Sequence, residues 1–222
     1  MATIASRLQA VKQRIDKTAK IPVALLAVSK TWPAEAIREA FDAGQKAFGE
    51  SYVQEALDKM QALSDLDLEW HFIGPIQSNK AKSIAEHFDW VHSVDREKIA
   101  KKLSDSRSGM PPLQACIQVN ISGESSKSGA APEEVLPLAK FISGLQNLKL
   151  RGLMAIPEPT TDVMRQRARF AELRRLKEAL CEEGYDLDTL SMGMSDDMES
   201  AIQEGATMVR VGSAIFGSRK AT

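Results

Sequence analysis

Short apolar runs alternate with amphipathic segments along almost the whole chain. Residues 23–29 are small or branched and carry no charge, which is typical of a strand buried on both faces of a parallel sheet. Further strands are predicted at residues 46–49, 68–73, 87–92, 113–120, 148–154, 187–190 and 207–211. Eight strands, each followed by a helix or a helix start, predict an α/β protein with a closed (β/α)8 TIM barrel. An open, doubly wound sheet is the alternative.

The helical segments have apolar residues three or four positions apart. One segment precedes the first strand, where Ile4, Leu8, Val11 and Ile15 share a face, so we expect an extra N-terminal helix. Later helices are predicted after residues 31–33, at 51, at 95, near 132, near 163, and at 195 or 196. Pro137 is expected to delay or kink the helix near 132, because an interior proline removes a hydrogen bond at a cost of about 3 kcal/mol.

Composition narrows the possible partners. With 222 residues, 43% of them hydrophobic, the chain is interpreted as one domain, 1–222, near the small end of the TIM-barrel size range. Its 29 basic and 30 acidic residues give a net charge of −1, which offers no general field for nucleic acid or acidic lipid. We therefore expect a small-molecule partner, no nucleic acid and no membrane. No coiled-coil heptad or long exposed apolar run argues for assembly, so a monomer is expected.

The two cysteines indicate a reducing compartment. Cys116 and Cys181 are far apart, with no C-x-x-C pair and no histidine cluster, so neither a zinc site nor a disulfide framework is predicted. The apolar runs are too short to span a bilayer, and no secretory signal is recognised at the start. A cytoplasmic location is therefore expected.

Lys30 is the first candidate for chemistry. It ends the first predicted strand, and the carboxyl ends of the strands form the active-site face of a TIM barrel. A lysine that loses its proton by desolvation becomes a nucleophilic amine, able to form a Schiff base with a carbonyl. On this segment alone, a solvated lysine after a strand is the ordinary alternative.

Two loops that contain glycine and serine are predicted to bind a phosphate. Ser191, Gly193 and Ser195 follow the seventh strand, and Gly212 and Ser213 follow the eighth. Glycine lets backbone N–H groups approach an anion, serine adds a hydroxyl donor, and the usual phosphate position of the barrel lies between these loops. Ordinary turns with serine caps are the alternative. A Schiff-base lysine with a phosphate cradle indicates either pyridoxal phosphate or a phosphorylated sugar as the ligand.

Two further residues of the predicted strands have side chains that could take part in chemistry. Arg210 stands at the mouth of strand eight as a planar donor that is always charged, and a salt bridge that closes the barrel is the structural alternative. His71 lies mid-strand between two aromatic residues. We interpret it as a core histidine with satisfied hydrogen bonds, since a barrel interior holds packed layers of side chains.

Several longer motifs resemble one known family. They are A-V-S-K at 27–30, G-E-S-Y-V-Q-E at 49–55, W-H-F-I-G at 70–74 with Q-S-N-K at 77–80, R-G-L-M-A-I-P at 151–157, L-S-M-G-M-S-D-D-M at 190–198, and V-R-V-G-S-A-I-F-G at 209–217. In one register from residue 25 to residue 217, the chain resembles the pyridoxal phosphate homeostasis proteins, the YggS/PROSC family.

The resemblance implies a fold-type III barrel, like the N-terminal domain of alanine racemase, that holds pyridoxal 5'-phosphate (PLP) as a Schiff base on Lys30. It places Arg210 against the pyridine nitrogen. The positions that match the phosphate site of the family are Ser191, Gly193, Ser195, Gly212 and Ser213. Positions near the cofactor ring match Asn120, Met154 and Ile156, and Lys127 matches a lysine of a mobile loop.

The chain departs from the family pattern at two of these segments. Family members commonly have threonine where Ser213 stands, and the serine keeps the hydroxyl. They commonly have asparagine where Ser51 stands, so an amide contact at that position is in question.

Three functions fit these residues. The leading one is a protein that holds and buffers PLP without strong turnover of its own, with transient contacts to PLP-dependent apoenzymes as possible partners. The second is an amino-acid racemase of the alanine racemase type, which needs an acid/base opposite the lysine; only Tyr52 of the two tyrosines follows a strand end, and no second domain is expected after Thr222. The third is a Schiff-base aldolase, which needs a carboxylate partner that the sequence does not place. We expect the first, a binding protein rather than an enzyme.

Overall fold

Eight parallel strands close into a barrel in chain order in the computed structural model, which describes residues 2–122 and 128–217. The strands are β1 Ala24–Val28, β2 Ala47–Glu50, β3 Glu69–Phe72, β4 Trp90–Val94, β5 Leu113–Gln118, β6 Leu148–Met154, β7 Thr189–Ser191 and β8 Met208–Val211. Strand β8 pairs with β1, from Ala24 opposite Met208 to Ala27 opposite Val211, and this pairing closes the sheet. The closed barrel confirms the TIM-barrel prediction over the doubly wound sheet.

Each strand is followed along the chain by a helix, and one further helix precedes the first strand. The helices are α1 Ile4–Thr18, α2 Ala34–Asp42, α3 Val53–Ala62, α4 Ala81–His87, α5 Glu97–Ser106, α6 Val135–Ser143, α7 Val163–Glu182, α8 Met198–Gln203 and α9 Ser213–Phe216. Helix α1 is the predicted extra N-terminal helix. It buries Leu8, Val11 and Ile15, and the Thr3 side chain accepts a hydrogen bond from the Ser6 backbone N–H to cap it.

The segment predicted as a strand at 87–92 is divided between two elements. Helix α4 ends at His87 and β4 begins only at Trp90. Phe88, which lies between them, is buried in the same core as the strand. Because apolar burial continues across this boundary, hydrophobicity does not mark it. The sequence pattern also fails to predict α4, since seven residues make too few turns to show a helical period.

Two helix starts also differ from prediction. The helix expected near residue 132 begins as a short 3-10 turn, Pro132–Glu134, and becomes α-helical at Val135. Pro137 thus lies in the first α-helical turn, where N–H groups have no partner within an α-helix, and the full cost of an interior proline is avoided. The helix expected at 195 or 196 begins at Met198, because Asp197 Oδ1 accepts a hydrogen bond from Met194 N at 2.6 Å and holds a turn there.

The barrel has an apolar outer core and a partly polar interior. The outer core lies where the helices cover the sheet, and it contains fully buried residues of α2, α4 and α5 such as Ile37, Ile84 and Leu103. Inside the barrel, His92 Nδ1 of β4 lies 2.8 Å from Ser191 Oγ of β7. These strands are not neighbours in the sheet, so this hydrogen bond crosses the interior.

Candidate functional site

A cavity of about 480 Å³ opens at the carboxyl ends of the strands. Its lining includes Lys30, Ser195, Arg210, Gly212 and Ser213, so it gathers most of the predicted chemical groups into one place. The volume is in the range of about 300 to 1,000 Å³ that is usual for small-molecule sites. A larger cavity of about 830 Å³, lined by residues of α1, α7 and α8, contains none of the predicted site residues.

Lys30 lies two residues beyond the end of β1. Both the side-chain hydroxyl and the backbone carbonyl of its neighbour Ser29 are hydrogen-bonded. Ser29 Oγ donates to Glu50 Oε1 at 2.6 Å, and Lys59 Nζ donates to the Ser29 carbonyl at 2.9 Å. Lys59 and Glu50 are themselves paired at 2.7 Å, and their side chains are 6% and 0% exposed. Burial raises the pKa of the Glu50 carboxyl, and the Lys59 ammonium opposes this shift. A buried ion pair therefore fixes the chain just before Lys30.

The residue after Lys30 is fixed by the same group of charges. Thr31 N donates to Glu55 Oε1 at 2.5 Å, and Glu55 Oε1 also accepts from Lys59 Nζ at 2.5 Å. Thr31 has φ of 68°, the only positive φ of a non-glycine residue in the described ranges 2–122 and 128–217. A non-glycine residue in this backbone conformation destabilises the fold by about 1 to 3 kcal/mol, and the conformation persists only where surrounding contacts hold it. We call Glu50, Glu55 and Lys59 the ionic cluster.

The two predicted phosphate loops meet at one edge of the cavity. Ser213 Oγ donates to Ser195 Oγ at 3.1 Å, and Ala214 N donates to the same Ser195 oxygen at 3.4 Å. Gly193 has φ of 94°, and a Cβ at this position would lie 2.6 Å from the Ala201 Cβ. Only glycine fits there without a shift of α8. A Cβ on Gly212 would come within 3.2 Å of the Val28 carbonyl oxygen.

Arg210 extends from β8 to the cavity, and its side chain is held by neutral oxygens. Its Nη1 donates to the Ser191 carbonyl at 2.6 Å and to Ser191 Oγ at 2.8 Å, and its Nη2 donates to the Ala155 carbonyl at 2.9 Å. The residue is 3% exposed, and burial lowers the pKa of its guanidinium to about 10. The guanidinium therefore keeps its proton at neutral pH. It is a fixed cation in the site.

Other predicted residues occupy different places. Ser191 is the last residue of β7, is fully buried, and directs its hydroxyl toward Arg210 and His92 inside the barrel. Met154 is fully buried in a small apolar cluster with Trp90 and Cys116. The structure therefore places Ser191 and Met154 beneath the cavity rather than among its lining residues.

The remaining predicted residues lie around the same end of the barrel. Asn120 follows β5, and its Oδ1 accepts from Ser122 N at 3.2 Å. Ile156 lines the cavity and is 44% exposed. Ser51 is half-buried between β2 and α3. Lys127 lies outside the described residues.

Sequence reasoning missed two features of the site. One is the ionic cluster, whose Lys59 stands on a helix at a position that resembles a solvated surface lysine. The other is His92, which is fully buried and hydrogen-bonded both to Ser191 and to His71. The available signal was the repeat of a tryptophan followed closely by a histidine in consecutive strands, β3 and β4. His71 itself is a buried histidine with partners on both ring nitrogens, as expected.

Two other kinds of site are absent from the described chain. No group of three or more histidine, cysteine or carboxylate side chains within 2–122 and 128–217 is arranged to hold a metal ion. The helices in these ranges include none with both the length and the apolar character needed to cross a membrane.

Comparisons with known proteins give one consistent assignment. The family described as alanine racemase, N-terminal domain, matches residues 1–220. The chain is 59% identical to the pyridoxal phosphate homeostasis protein of Pseudomonas aeruginosa, over 99% of this chain and 97% of the relative. It is 54% identical to the protein of the same name from Vibrio cholerae, over 97% of this chain and 93% of the relative.

A solved structure extends the similarity to three dimensions. PipY of Synechococcus elongatus with PLP bound has a TM-score of 0.87 and 40% identity, and the match covers 97% of this chain and 100% of PipY. Because the family match and the similar relatives both extend over nearly the full length, the chain belongs to the pyridoxal phosphate homeostasis protein family and has the barrel fold of the alanine racemase N-terminal domain.

Proposed function

We propose that this chain binds PLP covalently through Lys30 and serves PLP homeostasis by holding and buffering the cofactor. The observation that carries the proposal is the arrangement of Lys30, the Ser195 and Ser213 hydroxyls and the Arg210 guanidinium around one cavity. The names of the relatives and the PLP bound to PipY support the choice of this cofactor over a phosphorylated sugar.

The residues present fit the chemical groups of PLP. A phosphate needs hydrogen-bond donors and close backbone approach, which Ser195, Ser213, Gly193 and Gly212 supply. A pyridine nitrogen accepts a hydrogen bond, and Arg210 is a donor with no acceptor capacity. When bound, PLP supplies an aldehyde that reacts with an amine and a ring that accepts electrons. Asn120, Met154 and Ser191 complete the proposed cofactor environment from beside and beneath.

The same geometry favours binding over turnover. A ring nitrogen stabilises carbanions well when it is protonated beside a carboxylate, whereas the Arg210 guanidinium stays charged and can only donate. A racemase also needs a second acid/base that faces the lysine. Among the described residues that line the cavity there is no tyrosine or histidine, and Tyr52 is not in the lining. We therefore assign no catalytic residue.

We also propose a cellular location, an assembly state and a route by which PLP is released. We place the protein in the cytoplasm, where the free thiols of Cys116 and Cys181 remain reduced. Residues 1–222 are proposed to act as one monomeric domain. Transient contact with PLP-dependent apoenzymes is the proposed route by which held PLP leaves the site.

The phosphate part of the proposal is tested by replacing both serines. Ser195→Ala with Ser213→Ala removes two hydroxyl donors, each worth about 1.5 to 3 kcal/mol to a charged group, so PLP affinity should fall at least tenfold. Titration with PLP followed by visible absorbance gives the dissociation constant, and urea denaturation shows whether the variant still folds. The matched control is Ser106→Ala, at the end of α5. Unchanged affinity in the double variant would place the phosphate elsewhere.

The racemase alternative is tested by hydrogen exchange. PLP-loaded protein is incubated with L-alanine in deuterated water, and the product is examined by mass spectrometry and chiral analysis. We expect the α-proton to exchange very slowly, and Arg210→Glu to speed the exchange if the cofactor still binds, because a carboxylate permits ring protonation. Rapid exchange with loss of configuration in the unmodified protein would identify a racemase.

A further inference from the structure

A continuous line of side-chain hydrogen bonds crosses the barrel interior from Arg210 to Glu69. Arg210 Nη1 lies 2.8 Å from Ser191 Oγ, which lies 2.8 Å from His92 Nδ1. His92 Nε2 is 2.9 Å from His71 Nδ1, and His71 Nε2 is 2.6 Å from Glu69 Oε1. Glu69 is the first residue of β3 and its side chain is 51% exposed, so the line runs from the candidate site to the opposite rim of the barrel.

The two ends determine where every proton of this line resides. A guanidinium can only donate, so Ser191 Oγ accepts from Arg210; because Nδ1 of a neutral His92 ring is unprotonated when Nε2 donates to His71, the serine O–H points to Nδ1. His92 then carries its proton on Nε2 and donates it to His71 Nδ1. His71 carries its proton on Nε2 and donates to the Glu69 carboxylate, which can only accept. All five groups are satisfied when every hydrogen bond is donated in the direction from Arg210 to Glu69. The proton positions follow from the hydrogen-bond partners of each group.

The electrostatics of the two rings agree with this direction. Burial holds the pKa of His92 well below its ordinary value, and the positive charges of Arg210 and of a protonated His71 would lower it further. Burial also lowers the pKa of His71, although Glu69 opposes the shift. The hydrogen bond from His71 lowers the pKa of the Glu69 carboxyl. Both imidazoles are therefore neutral and Glu69 is ionised at neutral pH.

Aromatic packing fixes the ring planes that the line requires. Trp90 stacks on His71 with ring centroids 5.3 Å apart and an angle of 8° between the planes. The Arg151 guanidinium lies over the Trp90 ring at 4.7 Å and is itself paired with Asp188 at the rim. This stack leaves the His71 ring little freedom to rotate away from His92.

We infer that His92 is a positioning residue for Arg210, acting through the hydroxyl of Ser191, and that His71 and Glu69 hold His92 in the required tautomer. Without an acceptor at His92 Nδ1, the Ser191 hydrogen has no fixed direction and the oxygen is no longer fixed as an acceptor for Arg210. The guanidinium would then lose one of its anchors beneath the cavity. This positioning role depends only on side chains of the protein and can be measured without PLP.

The first measurement is the tautomer of both histidines in the protein without cofactor. Nitrogen-15 NMR of labelled histidine distinguishes a protonated Nε2 from a protonated Nδ1. We expect His71 and His92 both to be neutral Nε2–H tautomers at neutral pH. An Nδ1–H tautomer or a charged ring at His92 would overturn the inference, because Ser191 could not then donate to it.

Two substitutions of His92 separate positioning from simple packing. In His92→Asn the carboxamide oxygen occupies the place of Nδ1 and can accept from Ser191, whereas His92→Leu keeps bulk without an acceptor. We expect solvent exchange of the Arg210 guanidinium protons, followed by NMR, to speed up about tenfold or more in the leucine variant and to stay near the original rate in the asparagine variant. Equal rates in the two variants would contradict the positioning role.

PLP affinity provides the second readout and separates this inference from the proposed function. His92→Leu should weaken PLP binding about tenfold, and His92→Asn should restore most of the loss. If the unmodified protein does not bind PLP, the proposed function fails while the tautomers and the exchange rates still decide the role of His92. If PLP binds equally well to all three proteins, the inference is wrong.

Discussion

On the Lys30 side of the cavity the buried groups form an ion pair, whereas on the Arg210 side one buried cation is hydrogen-bonded to neutral oxygens. The ionic cluster of Glu50, Glu55 and Lys59 holds the residues before and after Lys30. Arg210, in contrast, has hydrogen-bond partners only on Ser191 and Ala155 within the described chain.

The difference in hydrogen-bond partners matches the different roles proposed for the two sides. The charges of the ionic cluster compensate one another, and the hydrogen bonds of the cluster to Ser29 and Thr31 fix the chain around Lys30. In the proposed function, the Arg210 guanidinium acts on the ligand directly. A carboxylate hydrogen-bonded to it would offset its charge, whereas carbonyl and hydroxyl oxygens fix its direction and leave the positive charge available. The proposed site therefore separates the charges that hold the backbone from the charge assigned to the ligand.

The largest effect is expected from Lys59→Met on the lysine side. The substitution leaves Glu50 buried without its cation, and breaking a buried pair by removing one partner costs about 3 to 5 kcal/mol. Urea denaturation measures the loss in the free energy of unfolding. The matched control is Lys101→Met, which breaks an exposed pair with Asp105 on α5, where the lysine side chain is 62% exposed, and should cost less than about 0.5 kcal/mol.

A double variant checks the cause of that loss. Lys59→Met combined with Glu50→Gln removes the uncompensated carboxylate, so it should recover part of the stability that Lys59→Met alone loses. If the double variant is less stable than the single one, packing rather than charge holds this side together. Equal losses of unfolding free energy for Lys59→Met and Lys101→Met would show that the buried ion pair contributes no more to stability than an exposed one.

Arg210→Met is expected to cost less than Lys59→Met, although both replace a buried cation. The variant loses hydrogen bonds to Ser191 and Ala155 and the attraction between Arg210 and the nearby Asp197 carboxylate, but it also removes the desolvation cost of a buried guanidinium and breaks no hydrogen-bonded ion pair. We expect the free energy of unfolding to fall by about 1 to 2 kcal/mol. A loss as large as that of Lys59→Met would mean that the Asp197 carboxylate depends on Arg210 as strongly as Glu50 depends on Lys59.

On the Arg210 side we expect a smaller effect, a dependence of the free energy of unfolding on pH that is caused by His92. Burial keeps the folded pKa of His92 below 6.5, its ordinary value, so below that pH the unfolded chain binds more protons than the folded chain. Stability should therefore fall as the pH falls below 6.5. His71 contributes in the same direction, and its neighbours Glu69 and Asp89 reduce its share.

The pH effect is measured by urea denaturation at about pH 7.5 and about pH 5.5. His92→Asn should reduce the loss of stability by up to about 1.4 kcal/mol per pH unit, because one buried titrating group is removed. The control His87→Asn makes the same substitution at an exposed histidine at the end of α4. An unchanged slope in His92→Asn would show that this ring is not held neutral by the fold.

The sequence predicts the barrel and the position of Lys30 at a strand end because both depend on short-range signals. A charge-free apolar run that ends in lysine indicates a buried strand and its carboxyl end, and glycine with serine after two strands indicates anion-binding loops. The ionic cluster depends instead on contacts between β1, β2 and α3. Nothing in the helical period around Lys59 distinguishes a buried ion pair from a solvated lysine.

The polar barrel interior is hidden for a related reason. His92 and Ser191 are 99 positions apart and meet only because the sheet closes. Periodicity shows that a residue lies in a strand, but it does not show which residues face each other across a barrel. The predicted strand boundary near His87 fails because Phe88 is buried between a helix and a strand, and apolar character alone carries no sign of the change.

Borohydride reduction of the PLP-loaded protein, followed by peptide mass analysis, tests most directly whether Lys30 holds the cofactor. Reduction converts the Schiff base into a stable secondary amine, so the modified lysine keeps the mass of the phosphopyridoxyl group. We expect the label on the peptide that contains Lys30, and its loss from that peptide in Lys30→Met. Labelling of Lys127 alone, or a Lys30→Met variant that keeps the same visible absorbance as the unmodified protein, would contradict the assignment.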